Sequence, residues 1–357
     1  MSAQAFSRIY GSGFVTGEIK VENSKMQRVV DTTDEWIRER SGIQQRYYVK
    51  EGTATSDLGV EASKRALADA NMTTADIDYI VVATMTPDYY FPGVGSLVQA
   101  KLGMPNIPCL DIRQQCSGFV YGLQVCDALI RAGAAKRILF VGAEVHTGFM
   151  PFSKHGWDAV SGFTDEPLDP KEIEWNSKFR HLVVLFGDAA GAIIVGPTED
   201  PNRGILGFAL HSDGRNAESL YVPSAGFKDR PYFTAEQANE GHGVPVMDGK
   251  AVFKMAVTKM PEAILEVCGK TGLTLDDINL VIPHQANLRI SEAVQKALKL
   301  PDERMYNNIQ QYGNTTAATL PIAYDECRKS GKVKKGDLVC FVGLGAGFHW
   351  GAALMRE

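Results

Sequence analysis

The sequence predicts an α/β chain built from two similar strand-and-helix halves, and three observations carry that expectation. Short apolar runs alternate with segments of helical spacing, the pattern of strands covered by helices. One run has a twin: Asn71-Met-Thr-Thr-Ala-Asp-Ile-Asp-Tyr-Ile-Val-Val-Ala83 resembles Thr271-Gly-Leu-Thr-Leu-Asp-Asp-Ile-Asn-Leu-Val-Ile-Pro283, each a helix end, an acidic turn and a buried strand. A second pair follows, Gly133 to Gly142 and Gly331 to Gly343, each a basic turn leading into a strand. The offset of roughly 200 residues is too long for a solenoid repeat and indicates a duplicated domain. The expected halves are 1–197 and 204–357, with Pro197 to Arg203 between them and mostly parallel, doubly covered sheets.

Composition narrows the function. The chain has 357 residues, 45% of them hydrophobic and 22% charged, which is globular. A net charge of -5 argues against a general nucleic-acid binder. Six cysteines without a Cys-x-x-Cys suggest a reducing cytoplasm, with no disulfide framework and no zinc site. No signal-peptide pattern and no run of about 20 apolar residues is seen, so a soluble protein is expected.

Taken in order, Ile9 to Gly17 reads as a strand entering a glycine-rich turn. Gly11 and Gly13 are present, but Thr16 stands where a dinucleotide site needs its third glycine. In Asp31-Thr-Thr-Asp-Glu-Trp36-Ile-Arg-Glu-Arg40-Ser-Gly42, Thr33 or Asp34 can cap a helix and Gly42 can end it. Trp36 and Arg40 then share one face. A helix is expected over 56–70 and strands over 79–84, 182–186 and 192–195. Residues 146–179, with Trp157 and Trp175, are too aromatic for a disordered linker and read as a lid or an interface flap.

The segment Cys109 to Gly133 carries the most chemistry. An apolar run over 107–112 reads as a strand, and Phe119, Leu123, Cys126 and Ile130 recur at helical spacing. Cys116 lies between them, at the first helical turn. Unpaired N–H groups and the positive dipole end there are expected to lower the thiol's pKa. Taken alone, Cys116 reads equally well as a small buried residue. Asn314 opens the matching helix of the second half, and His284 follows the matching strand. A pseudo-two-fold would bring the three together. A thiolate can carry an acyl group as a thioester, and the imidazole and carboxamide offer N–H donors for an enolate oxygen. The turn Gly343-Leu-Gly-Ala-Gly-Phe348 can complete an oxyanion hole from the backbone N–H groups of Ala346 and Cys116. Carbon-carbon bond formation between acyl thioesters fits these groups. Singly, His284 could be a satisfied core histidine and Asn314 a helix cap.

Six motifs, Asp31 to Trp36, Cys116-Ser-Gly-Phe119, Phe186-Gly-Asp-Ala-Ala-Gly191, His284-Gln-Ala-Asn-Leu-Arg289, Tyr312-Gly-Asn-Thr315 and Gly347-Phe-His-Trp-Gly351, resemble the beta-ketoacyl-[acyl carrier protein] synthase III family. The resemblance implies a thiolase-like fold, a five-layered α-β-α-β-α core of duplicated halves. It implies a homodimeric acyltransferase, without a cofactor or metal, acting in fatty-acid biosynthesis. Cys116 would take an acyl group from acyl-CoA, and His284 and Asn314 would drive decarboxylative condensation with malonyl-acyl carrier protein. Thr32, Trp36, Arg40, Arg180, Phe186, Gly249 and Asn287 would contact CoA or substrate, and Phe91 would line the partner's acyl pocket. Lys254, Arg289 and Lys296 would dock the acidic carrier protein. The sequence departs from the pattern at Gln114, Gln115, His349 and Ala346 and is longer over 146–179. Those departures suggest an alternative, a specialised natural-product ketosynthase or acyltransferase that joins two acyl thioesters or uses a non-malonyl acceptor.

Overall fold

The computed structural model describes residues 6–357. Nine strands build the core: β1 Ser7–Thr16, β2 Tyr79–Ala83, β3 Cys109–Ile112, β4 Ile138–Glu144, β5 Ala189–Pro197, β6 Gly204–Ser212, β7 Leu280–Pro283, β8 Leu338–Gly345 and β9 His349–Arg356. The helices that matter for the site are α1 Asp34–Ser41, α2 Thr55–Asp69, α3 Gly118–Arg131, α4 Lys154–Ser161, α5 Pro170–Ser177, α6 Gly249–Thr271, α7 Leu288–Leu298 and α8 Thr319–Lys329.

The first sheet runs β1-β5-β4-β2-β3 and the second β7-β8-β9-β6. Read from the β1 and β6 edges, both begin with two antiparallel pairs followed by a parallel one. The first sheet then adds β3, parallel to β2. The expectation of mostly parallel sheets is therefore wrong. β8 and β9 are joined by only Ala346, Gly347 and Phe348, and a connection that short forces the antiparallel direction.

Five layers follow from where the apolar faces are buried. α3 and α8 lie between the sheets, their Phe119, Leu123, Leu320 and Tyr324 buried against both. α2 covers the outer face of the first sheet with Leu58, Ala62 and Ala66. α6 and α7 cover the second with Met260, Ile264, Ile290 and Val294.

Local chemistry explains the element ends. Thr33 Oγ1 accepts from the Trp36 N–H at 3.0 Å, and Gly42 at φ 79° closes α1. Two local expectations fail. β1 continues through Gly11 and Gly13 instead of turning, because a Cβ at either would meet α2 within 2.7 Å, so these glycines serve close helix packing. Residues 182–186 are not a strand. Arg180–Val183 is a helical turn, and Phe186 makes only an isolated bridge to Asn314; the Val184 and Val183 carbonyls accept from the side chains of Arg46 and Tyr48 instead of from a neighbouring strand. The 146–179 segment folds α4 and α5 onto Val21, Met26 and Ile37, forming a small core of its own. Among the described residues, no helix is long and apolar enough to cross a membrane.

Candidate active site

A cavity of about 460 Å³ opens where the leading turns of α3 and α8 meet β8. Cys116, His284, Asn314, Ala346, Phe186, Gly249 and Asn287 all line it.

Each polar group is held by the chain around it. Cys116 lies in the one-turn 3-10 helix Gln115–Ser117 ahead of α3, with the Ser117 hydroxyl donating to the Gln114 carbonyl at 2.8 Å. Glycines of β8 allow this turn to sit so close: a Cβ on Gly345 would stand 2.8 Å from the Cys116 nitrogen. One on Gly343 would lie 3.2 Å from the Cys116 carbonyl oxygen and 3.4 Å from the His284 Cβ. The Cys116 turn and the histidine therefore flank the same glycine.

His284 follows β7, its backbone N–H bound to the Val342 carbonyl at 2.7 Å. Its Nδ1 meets the Thr319 hydroxyl at 2.7 Å, and that hydroxyl also lies 3.0 Å from the Thr316 carbonyl. Nε2 is buried without a partner. Burial pushes the imidazole down to about 3, so it rests neutral. Two tautomers are open to it. If the Thr319 hydrogen points to the Thr316 carbonyl, Nδ1 donates and Nε2 presents a lone pair. If it points to Nδ1, Nε2 presents an N–H.

Asn314 Oδ1 accepts from the Thr316 N–H at 2.9 Å, which leaves the NH₂ end for a ligand. Its backbone is fixed to Leu185 and Gly187.

The thiol departs from expectation. Burial, and then the charge of Glu144, push Cys116 up to about 12. The start of a short 3-10 turn does not offset the removal of water. The thiol therefore rests protonated.

Sequence reasoning missed Glu144, His146, Thr316 and Thr319. Glu144 is fully buried at the end of β4 and accepts from the Met85 and Thr86 N–H groups and from the hydroxyls of Thr84 and Thr86. Burial pushes its carboxyl up to about 7. A carboxylate ending an otherwise apolar strand was the available signal.

The other expected contacts lie outside the cavity. The guanidinium groups of Arg40 and Arg180 lie 4.4 and 4.6 Å from the Trp36 ring centre. Asn287, at the cavity wall, ties this cluster to the site by donating to the Arg40 carbonyl at 2.7 Å. Thr32 Oγ1 nearby is buried without a partner. Lys254 on α6 and Arg289 and Lys296 on α7 are exposed. Phe91 is 78% exposed and does not reach this cavity. It adjoins Tyr90, which with Phe227 and Tyr232 forms an aromatic cluster. Of the departures, Gln115 lines the cavity with a buried, unpartnered Oε1, and His349 lines it with Nδ1 2.7 Å from the Ser212 hydroxyl. Gln114 contributes its carbonyl to the turn. Only Phe149 of the 146–179 segment reaches the cavity wall, so the segment is not a lid over it.

Known proteins share this layout. The model for 3-oxoacyl-[acyl-carrier-protein] synthase III matches residues 110–162 and 170–214, and the model for its C-terminal part matches 268–357. Beta-ketoacyl-[acyl-carrier-protein] synthase III of Caldanaerobacter subterraneus is 41% identical over 98% of this chain and 97% of its own. The crystal structure of 3-oxoacyl-[acyl-carrier-protein] synthase III from Aquifex aeolicus superposes with a TM-score of 0.83 at 36% identity, covering 98% of this chain and 100% of that one. The priming beta-ketosynthase of the R1128 polyketide pathway gives 0.83 at 30% identity, over 100% of this chain and 97% of the other. Matched along its whole length in sequence and in fold, the chain belongs to the beta-ketoacyl-[acyl-carrier-protein] synthase III family of condensing enzymes.

Proposed function

We propose that the protein takes an acyl group from acyl-CoA onto Cys116 and joins it to malonyl-acyl carrier protein with loss of carbon dioxide, giving a β-ketoacyl thioester. The observation that carries this reading is the set of free ends meeting in one cavity: a thiol, the unpartnered Nε2 of His284 and the NH₂ of Asn314.

In the first half-reaction, the lone pair of Nε2 accepts the thiol proton as sulfur attacks the thioester carbonyl. The oxyanion draws on the backbone N–H groups of Cys116 and Ala346. Collapse expels CoA, which recovers the proton from Nε2. In the second, an Nε2–H and the Asn314 NH₂ donate to the malonyl thioester oxygen. The bond to the carboxylate breaks, carbon dioxide leaves, and the enolate attacks the acyl carbonyl on Cys116. Cys116 departs as the thiolate and takes one proton from water, the proton that loss of carbon dioxide from a carboxylate consumes overall. Rotation of the Thr319 hydroxyl supports both roles of His284 by favouring one tautomer or the other.

Gly249 and Asn287 border the path for the pantetheine arm, and Thr32, Trp36, Arg40 and Arg180 form the nucleotide rim. The exposed cations Lys254, Arg289 and Lys296 suit an acidic carrier protein. Phe91 and the aromatic cluster beside it suit a second copy of the chain, giving a homodimer. Labelled acyl-CoA is expected to leave its label on Cys116, and equal labelling of Cys116→Ala would sink this reading.

The unpartnered Oε1 of Gln115 supports a second reading, a specialised ketosynthase whose acyl group carries a hydrogen-bond donor near the thioester. Product analysis with malonyl-carrier protein against a second acyl-CoA separates the two. A product that keeps every carbon would remove decarboxylation.

A further inference from the structure

A second histidine stands behind the nucleophile. His146 is fully buried, stacked on Phe186 at a centroid distance of 4.6 Å, and takes no part in the steps above. Its Nδ1 lies 2.8 Å from the Gly187 carbonyl, and its Nε2 lies 2.8 Å from the Thr316 hydroxyl. A carbonyl oxygen can only accept, so Nδ1 must carry the hydrogen, and the neutral ring then has only a lone pair at Nε2. Thr316 must therefore donate its single hydroxyl hydrogen to His146. Thr316 and Cys116 line the same cavity, on 3-10 turns, Gln115–Ser117 and Thr316–Ala318, that pack against each other. With its hydrogen committed, the oxygen can offer the thiol only a lone pair, which suits S–H and not a thiolate.

We propose that His146 is a positioning residue that withholds the Thr316 hydrogen from Cys116, so that the thiol rests protonated and yields its proton only to His284. The proposal rests on Cys116 being the nucleophile. Its advantage is chemical: a thiol is far less reactive than a thiolate toward stray electrophiles and oxidants. The neighbouring titratable groups are Glu144, whose charge acts on the thiol, His284 across Gly343, and Asp188, which accepts the His146 backbone N–H at 2.6 Å. Burial holds His146 itself down at about 4, consistent with an acceptor that does not protonate near neutrality.

The test is the pH profile of iodoacetamide alkylation at Cys116, followed by mass spectrometry. His146→Asn can still donate to the Gly187 carbonyl but cannot reach Thr316, whereas His146→Gln can place an acceptor at the Nε2 position. The midpoint is expected to fall by about one pH unit in His146→Asn and in His146→Leu, making alkylation about tenfold faster below both midpoints. His146→Gln should stay near the parent, and in a Thr316→Ala background His146→Asn should change nothing. If the leucine variant does not fold, the asparagine and glutamine variants carry the test alone. An unchanged midpoint in His146→Asn would overturn the proposal while leaving the condensing reading intact. A raised midpoint would also overturn it, since His146 would then be taking the proton itself. Failure of Cys116 to alkylate at any pH would remove both.

Discussion

The turn that leads into α3 and the turn that leads into α8 share a backbone shape but differ in what the facing strand sets against them. Each is a single 3-10 turn, Gln115–Ser117 and Thr316–Ala318, with a non-glycine residue at positive φ, 44° at Gln115 and 47° at Thr316. Each is seated by a glycine of the opposite half. A Cβ at Gly142 of β4 would stand 2.3 Å from the Ala317 carbonyl oxygen, as one at Gly343 of β8 would crowd Cys116. Two residues further along the two strands the symmetry breaks. β4 ends in Glu144, whose carboxylate faces the Ala317 N–H at 3.5 Å. β8 ends in Gly345, which has no side chain to cover the Cys116 N–H. One half closes its turn with a carboxylate. The other leaves the N–H of its turn uncovered.

Closing the open turn should have the largest effect. In Gly345→Ala the methyl group would meet the Cys116 nitrogen and the Gln114 carbonyl, so labelling of Cys116 by acyl-CoA should fall by about 100-fold or more. Labelling within a few-fold of the parent would mean that the Cys116 N–H is not used. Asn314→Ala acts on the other turn alone. Cys116 labelling should persist, while condensation with malonyl-carrier protein falls by about 100-fold; equal loss in both assays would place Asn314 in acyl transfer instead.

Glu144→Gln removes the charge that distinguishes the closed turn. The carboxyl is raised in the fold to about 7 from the ordinary value of 4.5. Its contribution is therefore fully present below the ordinary value and lost as pH rises through about 7. That contribution is of order 3 kcal/mol between the two limits. Denaturant midpoints measured from pH 4.5 to 8.5 should fall less steeply with pH in Glu144→Gln than in the parent; parallel curves would show that Glu144 is ionised throughout. The smallest effect belongs to features the halves share. Gly133 and Gly331 follow α3 and α8 at φ 69° and 72°, with nothing near a would-be Cβ. Alanine at either should cost about 1 kcal/mol by chemical denaturation, and the two losses should agree. Clearly unequal losses would show that the halves do not share this cap.

Much of this was legible in the chain. The paired strands announced the duplication because buried strands read as unbroken apolar runs, and Cys116, His284 and Asn314 lie at corresponding strand and helix ends. The run over 182–186 misled because Val183 and Val184 are apolar through burial beside Ile37 and Tyr48, which a one-dimensional pattern cannot tell from burial in a sheet. The thiol misled because helix position is local and visible, whereas the absence of water and the charge of Glu144 come from distant residues. His146, Thr316 and Thr319 were hidden for the same reason: their meaning lies in which hydrogen each hydroxyl must give away, and that depends on partners far along the chain.

The reciprocal seating of the two turns has a consequence for biogenesis. Gly142 steadies a turn still unmade when the first half leaves the ribosome, and Gly343 and Gly345 are made roughly 200 residues after the turn they seat. Neither half can mature its share of the cavity in isolation. A nascent or truncated chain therefore remains chemically silent until contacts of very long sequence separation have formed, and competence appears late, as one event.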